Sequence, residues 1–138
     1  MAEPNGKILC VDDHEDSCEL LTTFLGLQGY QVEAVQDMAG ALERIKAENF
    51  ELLILDNKLP DGSGVDLCRK IRSFDKLTPI IFYSALASLK DREAGMGAGA
   101  QAYLTKPGDW DRLTVTVHSL VLSPCKIQRP ATCLENYF

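Results

Sequence analysis

Leu52-Leu53-Ile54-Leu55-Asp56-Asn57-Lys58-Leu59-Pro60-Asp61-Gly62 is the stretch from which the fold of this chain is read. Four consecutive apolar residues without polar alternation suit a strand buried on both faces, and such strands belong to parallel sheets covered by helices. Asp56 ends the run. Pro60-Asp61-Gly62 is turn chemistry, proline presetting one φ and glycine supplying a positive one, so the strand leads into an ordered loop. A carboxylate at the end of a hydrophobic strand costs free energy unless the site uses it, which makes Asp56 the first candidate functional residue.

Outward from that strand, short apolar runs alternate with helical patterns. Lys7 to Val11 reads as a first strand, Gln31 to Val35 as an edge strand by its alternation, Pro79 to Tyr83 as a fourth with proline at its tolerated first position, and Gln101 to Thr105 as a fifth. Leu20, Leu21, Phe24, Leu25 and Leu27 set one helical face that stops at Gly29. Ala41, Leu42 and Ile45 set a second, and Val65, Leu67, Cys68 and Ile71 a third. A short fourth helix is expected over Leu86 to Ala94, with Gly95, Gly97 and Gly99 making a mobile or irregular connection after it. Trp110 to Leu122 closes the pattern with Leu113, Val117, Leu120 and Val121 inward; its β-branched run Thr114 to Val117 lowers helix propensity, so packing must hold it.

Five strands alternating with five helices predict an α/β fold: a five-stranded parallel sheet in the order 2-1-3-4-5 with helices on both faces, flavodoxin-like, and a crevice where strands one and three diverge. Residues 1–122 are expected to form this domain. Residues 123–138 lose helical periodicity, hold two prolines and are expected to be a peripheral tail or linker.

Composition narrows the function. The 138 residues, 46% hydrophobic and 25% charged, suffice for a core without a metal or disulfide. A net charge of −6 without basic clusters argues against a nucleic-acid surface. No apolar run approaches membrane-spanning length and Met1 to Asn5 does not open a signal peptide, so a cytoplasmic protein without membrane contact is expected. Cys10, Cys18, Cys68, Cys125 and Cys133 are odd in number and lack CxxC spacing, which reads as reduced thiols.

The chemistry emerges when polar residues are sorted by where strands end. Asp12 and Asp13 follow strand one, Asp56 ends strand three, Ser84 ends strand four and Lys106 ends strand five, so all converge on one sheet edge. Each alone has an ordinary explanation as a cap, a turn residue, a strand terminus or a surface amine. Their coincidence does not. Three converging carboxylates repel, and their natural occupant is a hard octahedral cation, Mg²⁺. With the cation and Lys106 neutralising phosphate oxygens and Ser84 donating a hydrogen bond, Asp56 is placed to attack a phosphoryl group in line and become an aspartyl phosphate. His14 receives no catalytic role in this reading, and Trp110 is assigned to packing.

Val11-Asp12-Asp13, Leu55-Asp56, Leu59-Pro60-Asp61-Gly62, Ser84-Ala85, Ala98-Gly99-Ala100 and Tyr103-Leu104-Thr105-Lys106-Pro107 together give the chain a family likeness. From about Lys7 to about Leu122 it resembles the receiver domain of two-component response regulators. The resemblance implies that Asp56 takes phosphate from a phosphohistidine on a sensor histidine kinase or phosphotransfer protein, and that the receiver catalyses the transfer itself. It implies that Asp13 and Asp56 contact Mg²⁺ directly, that Asp12 acts largely through water, and that the backbone carbonyl of Lys58 is a further ligand. It also implies that Ser84 moves toward the phosphate, that Tyr103 swings inward behind it, and that the face formed by residues 86–122 is remodelled for a downstream protein. Lys58 and Leu86, beside the site, are expected to tune the lifetime of the phosphoryl group.

Two rival functions remain at this point. A flavodoxin-like nucleotide or flavin binder would want a glycine- or serine-rich loop after strand one, where this chain has Asp-Asp-His-Glu-Asp. A pseudo-receiver would act as an unphosphorylated docking module.

Overall fold

The apolar runs are strands: β1 (Gly6–Val11), β2 (Tyr30–Val35), β3 (Leu52–Leu55), β4 (Ile80–Ser84) and β5 (Ala102–Thr105). The structure is a computed structural model that describes residues 6–122. These strands form one parallel sheet in the order β2-β1-β3-β4-β5, as expected. Parallel neighbours require crossovers. Helices α1 (Glu15–Leu27), α2 (Met38–Ala47), α3 (Gly64–Arg72) and α4 (Leu89–Gly97) supply them, and α5 (Trp110–Val121) follows the last strand.

Alternation along the strands divides the core in two. Leu9, Val11, Leu53, Leu55, Ile80 and Phe82 pack with residues of α2 and α3 and with Tyr103, while Ile8, Cys10, Leu52, Ile54, Ile81 and Tyr83 pack with residues of α1 and α5. The sheet is therefore covered on both faces, which is why β3 buries all four of its residues and shows no polar alternation. Each fully buried Leu, Ile or Phe contributes about 1.5–3 kcal/mol, so this central strand anchors both layers. Trp110 packs on Phe24, ring centroids 4.8 Å apart, and on Tyr83 at 6.1 Å.

Three expectations need correction. On α1 the buried residues are Cys18, Leu21 and Leu25, whereas Leu20 and Leu27 are 55% and 82% exposed. At about 100° per residue, Leu20 and Leu27 lie nearly opposite Cys18, so the count of leucines overstated the inward face. The fourth helix begins at Leu89 instead of Leu86, because Ser88 and Asp91 form a capping box: Ser88 Oγ accepts from Asp91 N at 3.1 Å and Asp91 Oδ2 from Ser88 N at 3.3 Å. That helix continues through Gly95 and Gly97, so these glycines are not a connection. Gly95 is there for space: a Cβ on it would stand 2.7 Å from Tyr103 Cδ2.

The Pro60-Asp61-Gly62 turn also does more than reverse the chain. Lys58–Leu59 pairs antiparallel with Gly62–Ser63, with Gly62 at φ 154°. Asp61 Oδ1 then accepts from Met38 N at 2.8 Å and Oδ2 from Ala39 N at 3.0 Å. The loop after β3 is thereby tied to the first turn of α2, where a carboxylate also offsets the helix dipole.

Among the described residues no helix is long and apolar enough to cross a membrane. Cys10, Cys18 and Cys68 are free and buried. Cys125, Cys133 and the expected tail at 123–138 lie outside the described residues.

Candidate functional site

Strand register brings the carboxyl ends of β1, β3, β4 and β5 to one edge: Val11 pairs with Leu55, Leu55 with Phe82, and Ser84 with Thr105. Asp56 N donates to Val11 O at 2.8 Å and Lys106 N to Ser84 O at 2.9 Å, so the ladder continues one residue beyond the strands and fixes both backbones. Asp12 N is held in the same way by Val35 O at 3.1 Å. The site residues are thus extensions of rigid strands.

The side chains meet. Lys106 Nζ is hydrogen-bonded to Asp12 Oδ2, and it donates to Ser17 Oγ at 3.2 Å and to Asp56 Oδ2 at 3.4 Å. Asp12, Asp56 and Ser84 are 3%, 5% and 1% exposed, whereas Asp13 and His14 face solvent. Burial works to lower the Lys106 pKa. The hydrogen bond that Lys106 donates to Asp12 and the charges of Asp56 and Asp12 outweigh it, so the ammonium is held above its ordinary range and stays charged.

Ser84 Oγ accepts from Leu86 N at 3.2 Å, at the wall of a cleft of about 380 Å³ that Asp56, Lys58, Leu86 and Lys106 also line. A larger cavity, about 520 Å³, lies beside Ile45, Phe50, Phe74 and Leu77, and none of the strand-end residues reaches it. The smaller cleft is the one with chemistry. Lys58 N donates to Asp56 Oδ1 at 3.3 Å.

A cation fits the acidic end of the cleft. Asp12, Asp13, His14 and Asp56 each offer one ligand atom, and these atoms all lie within 4.8 Å of one another. Three of the four donors are carboxylate oxygens, the hard set that suits Mg²⁺. The fourth is an imidazole nitrogen: His14 Nδ1 is 3.2 Å from Asp12 Oδ1, 3.1 Å from Asp13 Oδ1 and 3.9 Å from Asp56 Oδ2.

Tyr103 points inward. Its ring stacks on Phe82 with centroids 5.2 Å apart, its hydroxyl donates to Leu86 O at 2.5 Å, and Asn57 Nδ2 donates to that hydroxyl at 3.2 Å. Asn57 Oδ1 in turn accepts from Val65 N at 3.3 Å. Burial raises the tyrosine pKa, so the hydroxyl remains a donor. Arg92 covers the ring, its guanidinium carbon 5.7 Å from the centroid.

Asp12, Asp13, Asp56 and Lys106 are thus gathered, Ser84 and Lys58 line the same cleft, and Tyr103 lies behind Ser84 on the neighbouring strand. Sequence reasoning passed over His14, Ser17, Asn57 and Gly64. His14 had a usable signal, since three ligand-type residues stand in a row at Asp12-Asp13-His14. Gly64 had none: a Cβ on it would stand 2.4 Å from the carbonyl oxygen of Asp56, a closeness that depends on how α3 packs.

The family model for the response regulator receiver domain matches residues 8–118. The response regulator protein PmrA of Pseudomonas aeruginosa is 42% identical over 114 residues, 83% of this chain and 52% of PmrA. The transcriptional regulatory protein TrcR of Mycobacterium tuberculosis is 32% identical over 125 residues, 91% of this chain and 49% of TrcR. The chain spans about half the length of these curated relatives. The response regulator protein TrrA from Thermotoga maritima, solved in complex with Mg²⁺-BeF, superposes with a TM-score of 0.76 at 30% identity over 83% of this chain and 97% of that one. This chain belongs to the response regulator receiver domain family.

Proposed function

We propose that the domain is a phosphorylation-dependent signalling switch. Asp56 accepts a phosphoryl group from a phosphohistidine of a sensor histidine kinase or phosphotransfer protein, and the face formed by residues 86–122 then changes its affinity for a downstream protein. The observation that carries this reading is the position of Asp56: buried at the end of the central strand, 3.4 Å from an ammonium that also holds Asp12. A carboxylate so placed is within reach of an incoming phosphorus and has its neutralising partner already fixed.

An Asp56 carboxylate oxygen attacks the phosphorus in line. The new P–O bond makes a mixed anhydride, the P–N bond to histidine breaks, and its electron pair stays on the imidazole, which takes up a proton. Lys106 neutralises charge on the phosphoryl oxygens. Asp12, Asp13 and Asp56 are the residues that would hold Mg²⁺, with the Lys58 carbonyl as a further ligand. When bound, that cation supplies further charge neutralisation at the phosphoryl oxygens. That TrrA was solved in complex with Mg²⁺-BeF supports an ion of this kind.

Ser84 Oγ has a hydroxyl proton to give to a phosphoryl oxygen, a bond that exists in only one of the two states. Such a differential contact shifts an equilibrium. Tyr103, beside Ser84's strand and against α4, is the residue proposed to carry the change to the 86–122 face. A net charge of −6 favours protein partners over nucleic acid for this domain. Incubation with Mg²⁺ and acetyl phosphate, followed by intact mass, tests the reading. One phosphoryl adduct that disappears in Asp56→Asn is expected, and an unchanged mass in the parent protein refutes it.

A further inference from the structure

His14 enters the acidic site from outside the set of strand-end residues. Its backbone explains how. As the residue before α1 it is extended, φ −91° and ψ 113°, and its amide donates to Asp12 Oδ1 at 2.9 Å. That turn brings the ring back over the carboxylates. Its side chain is 65% exposed, and Nδ1 nevertheless lies within 3.9 Å of oxygens from Asp12, Asp13 and Asp56.

The spacing is that of a shared coordination sphere. Around a six-coordinate ion with bonds of about 2.1 Å, neighbouring donors stand about 3 Å apart and opposite donors about 4.2 Å. The four atoms here lie within 4.8 Å of one another, close to that span. A nitrogen that meets carboxylate oxygens through a proton meets them equally well through a metal ion once its lone pair is free.

We propose that His14 is a further protein ligand and that it shifts this site's preference from Mg²⁺ toward nitrogen-accepting first-row divalent ions such as Co²⁺. The inference rests on the reading of Asp12, Asp13 and Asp56 as a cation site. Mg²⁺ takes oxygen donors and retains its waters, so an added imidazole contributes little to its binding. Later first-row ions bind imidazole well, and their affinity rises along the series. His14 therefore sets which cation the acidic cleft selects.

The test uses the full chain at about pH 8, where imidazoles are ordinarily neutral, without any phosphodonor. MgCl₂ and CoCl₂ are titrated calorimetrically into the parent protein, His14→Ala and Asp13→Asn, and the visible absorption of bound Co²⁺ is recorded. His14→Ala is expected to melt at the parent temperature, to lose at least about tenfold in Co²⁺ affinity with an altered Co²⁺ spectrum, and to lose less than about threefold in Mg²⁺ affinity. Asp13→Asn is expected to weaken both ions. Unchanged Co²⁺ affinity and spectrum in His14→Ala, equal losses for both ions, or Co²⁺ binding as tight in Asp13→Asn as in the parent would overturn the assignment while Mg²⁺ binding by the parent leaves the cation site standing. Binding of neither ion by the parent overturns both.

Discussion

Replacing Gly95 with alanine puts one methyl group against the two aromatic rings behind the site. Its Cβ would lie 2.7 Å from Tyr103 Cδ2, 3.0 Å from Tyr103 Cε2 and 3.1 Å from Phe82 Cδ2. Neither ring is free to give way: Phe82 is fully buried, and Tyr103 is pinned at its hydroxyl by Leu86 O and Asn57 Nδ2. Adding a methyl to so closed a space costs about 1–3 kcal/mol. Alanine's better helix propensity opposes this by at most about 1 kcal/mol. With the full propensity gain the net is a destabilisation of up to about 2 kcal/mol, or a fall in Tm of up to about 8 °C for a domain near this size. Gly97→Ala is the internal control, two residues along α4 with nothing within 4 Å of the added Cβ. It retains only the propensity gain, smaller at a helix end, and is expected to melt at or slightly above the parent. Thermal unfolding followed by circular dichroism reads both variants. A Gly95→Ala protein that melts as high as Gly97→Ala would refute the packing of Tyr103 against α4.

Gly64→Ala is expected to be more damaging, by about 3 kcal/mol or more, because the atom it meets at 2.4 Å is the Asp56 backbone carbonyl and cannot swing aside; an unchanged urea midpoint would contradict this. Asp61 gives a pH-dependent test. The hydrogen bond from Met38 N, with a second from Ala39 N, holds its carboxyl below the ordinary 3.8. A depressed pKa stabilises the fold at and above that range and ceases to do so as pH falls through the lowered value. The urea midpoint of Asp61→Asn should therefore lie below the parent's near neutral pH and converge with it in acid, and a gap that persists there would exclude the cap. Lys58 lines the cleft, and its cation is proposed to shield the acyl phosphate from water. Lys58→Ala should shorten the phosphoryl lifetime by about two- to fivefold, as loss of a partly screened charge contact does, and equal decay rates would remove the role.

Much of this molecule is legible from side-chain chemistry alone. Leu52 to Leu55 could be read as a central strand because burial on both faces removes polar alternation, and with β3 placed, the other strand ends had to share its edge. Position alone therefore places Asp12, Asp13, Asp56, Ser84 and Lys106 at one edge, where the structure also has them. Features that depend on close approach were not legible. Gly64 and Gly95 look like punctuation in a sequence, and only the positions of Asp56 O and the Tyr103 ring show that a side chain would not fit. Asp61 reads as a turn residue because its partners, Met38 N and Ala39 N, are more than twenty residues away. Leu20 and Leu27 are apolar like their inward neighbours and differ from them only in angle around α1, and Ser88 hides the true start of α4 because its capping partner Asp91 is a short acid where a glutamate or glutamine is usual.

The most direct measurement locates the acyl phosphate itself. The protein is treated with Mg²⁺ and acetyl phosphate, reduced with borohydride, which converts an aspartyl phosphate to homoserine, and sequenced by peptide mass spectrometry. Homoserine at position 56 and at no other aspartate is the expected result. Reduction at Asp12 or Asp13, or no homoserine anywhere, would contradict the assignment of Asp56 as the residue that takes the phosphoryl group.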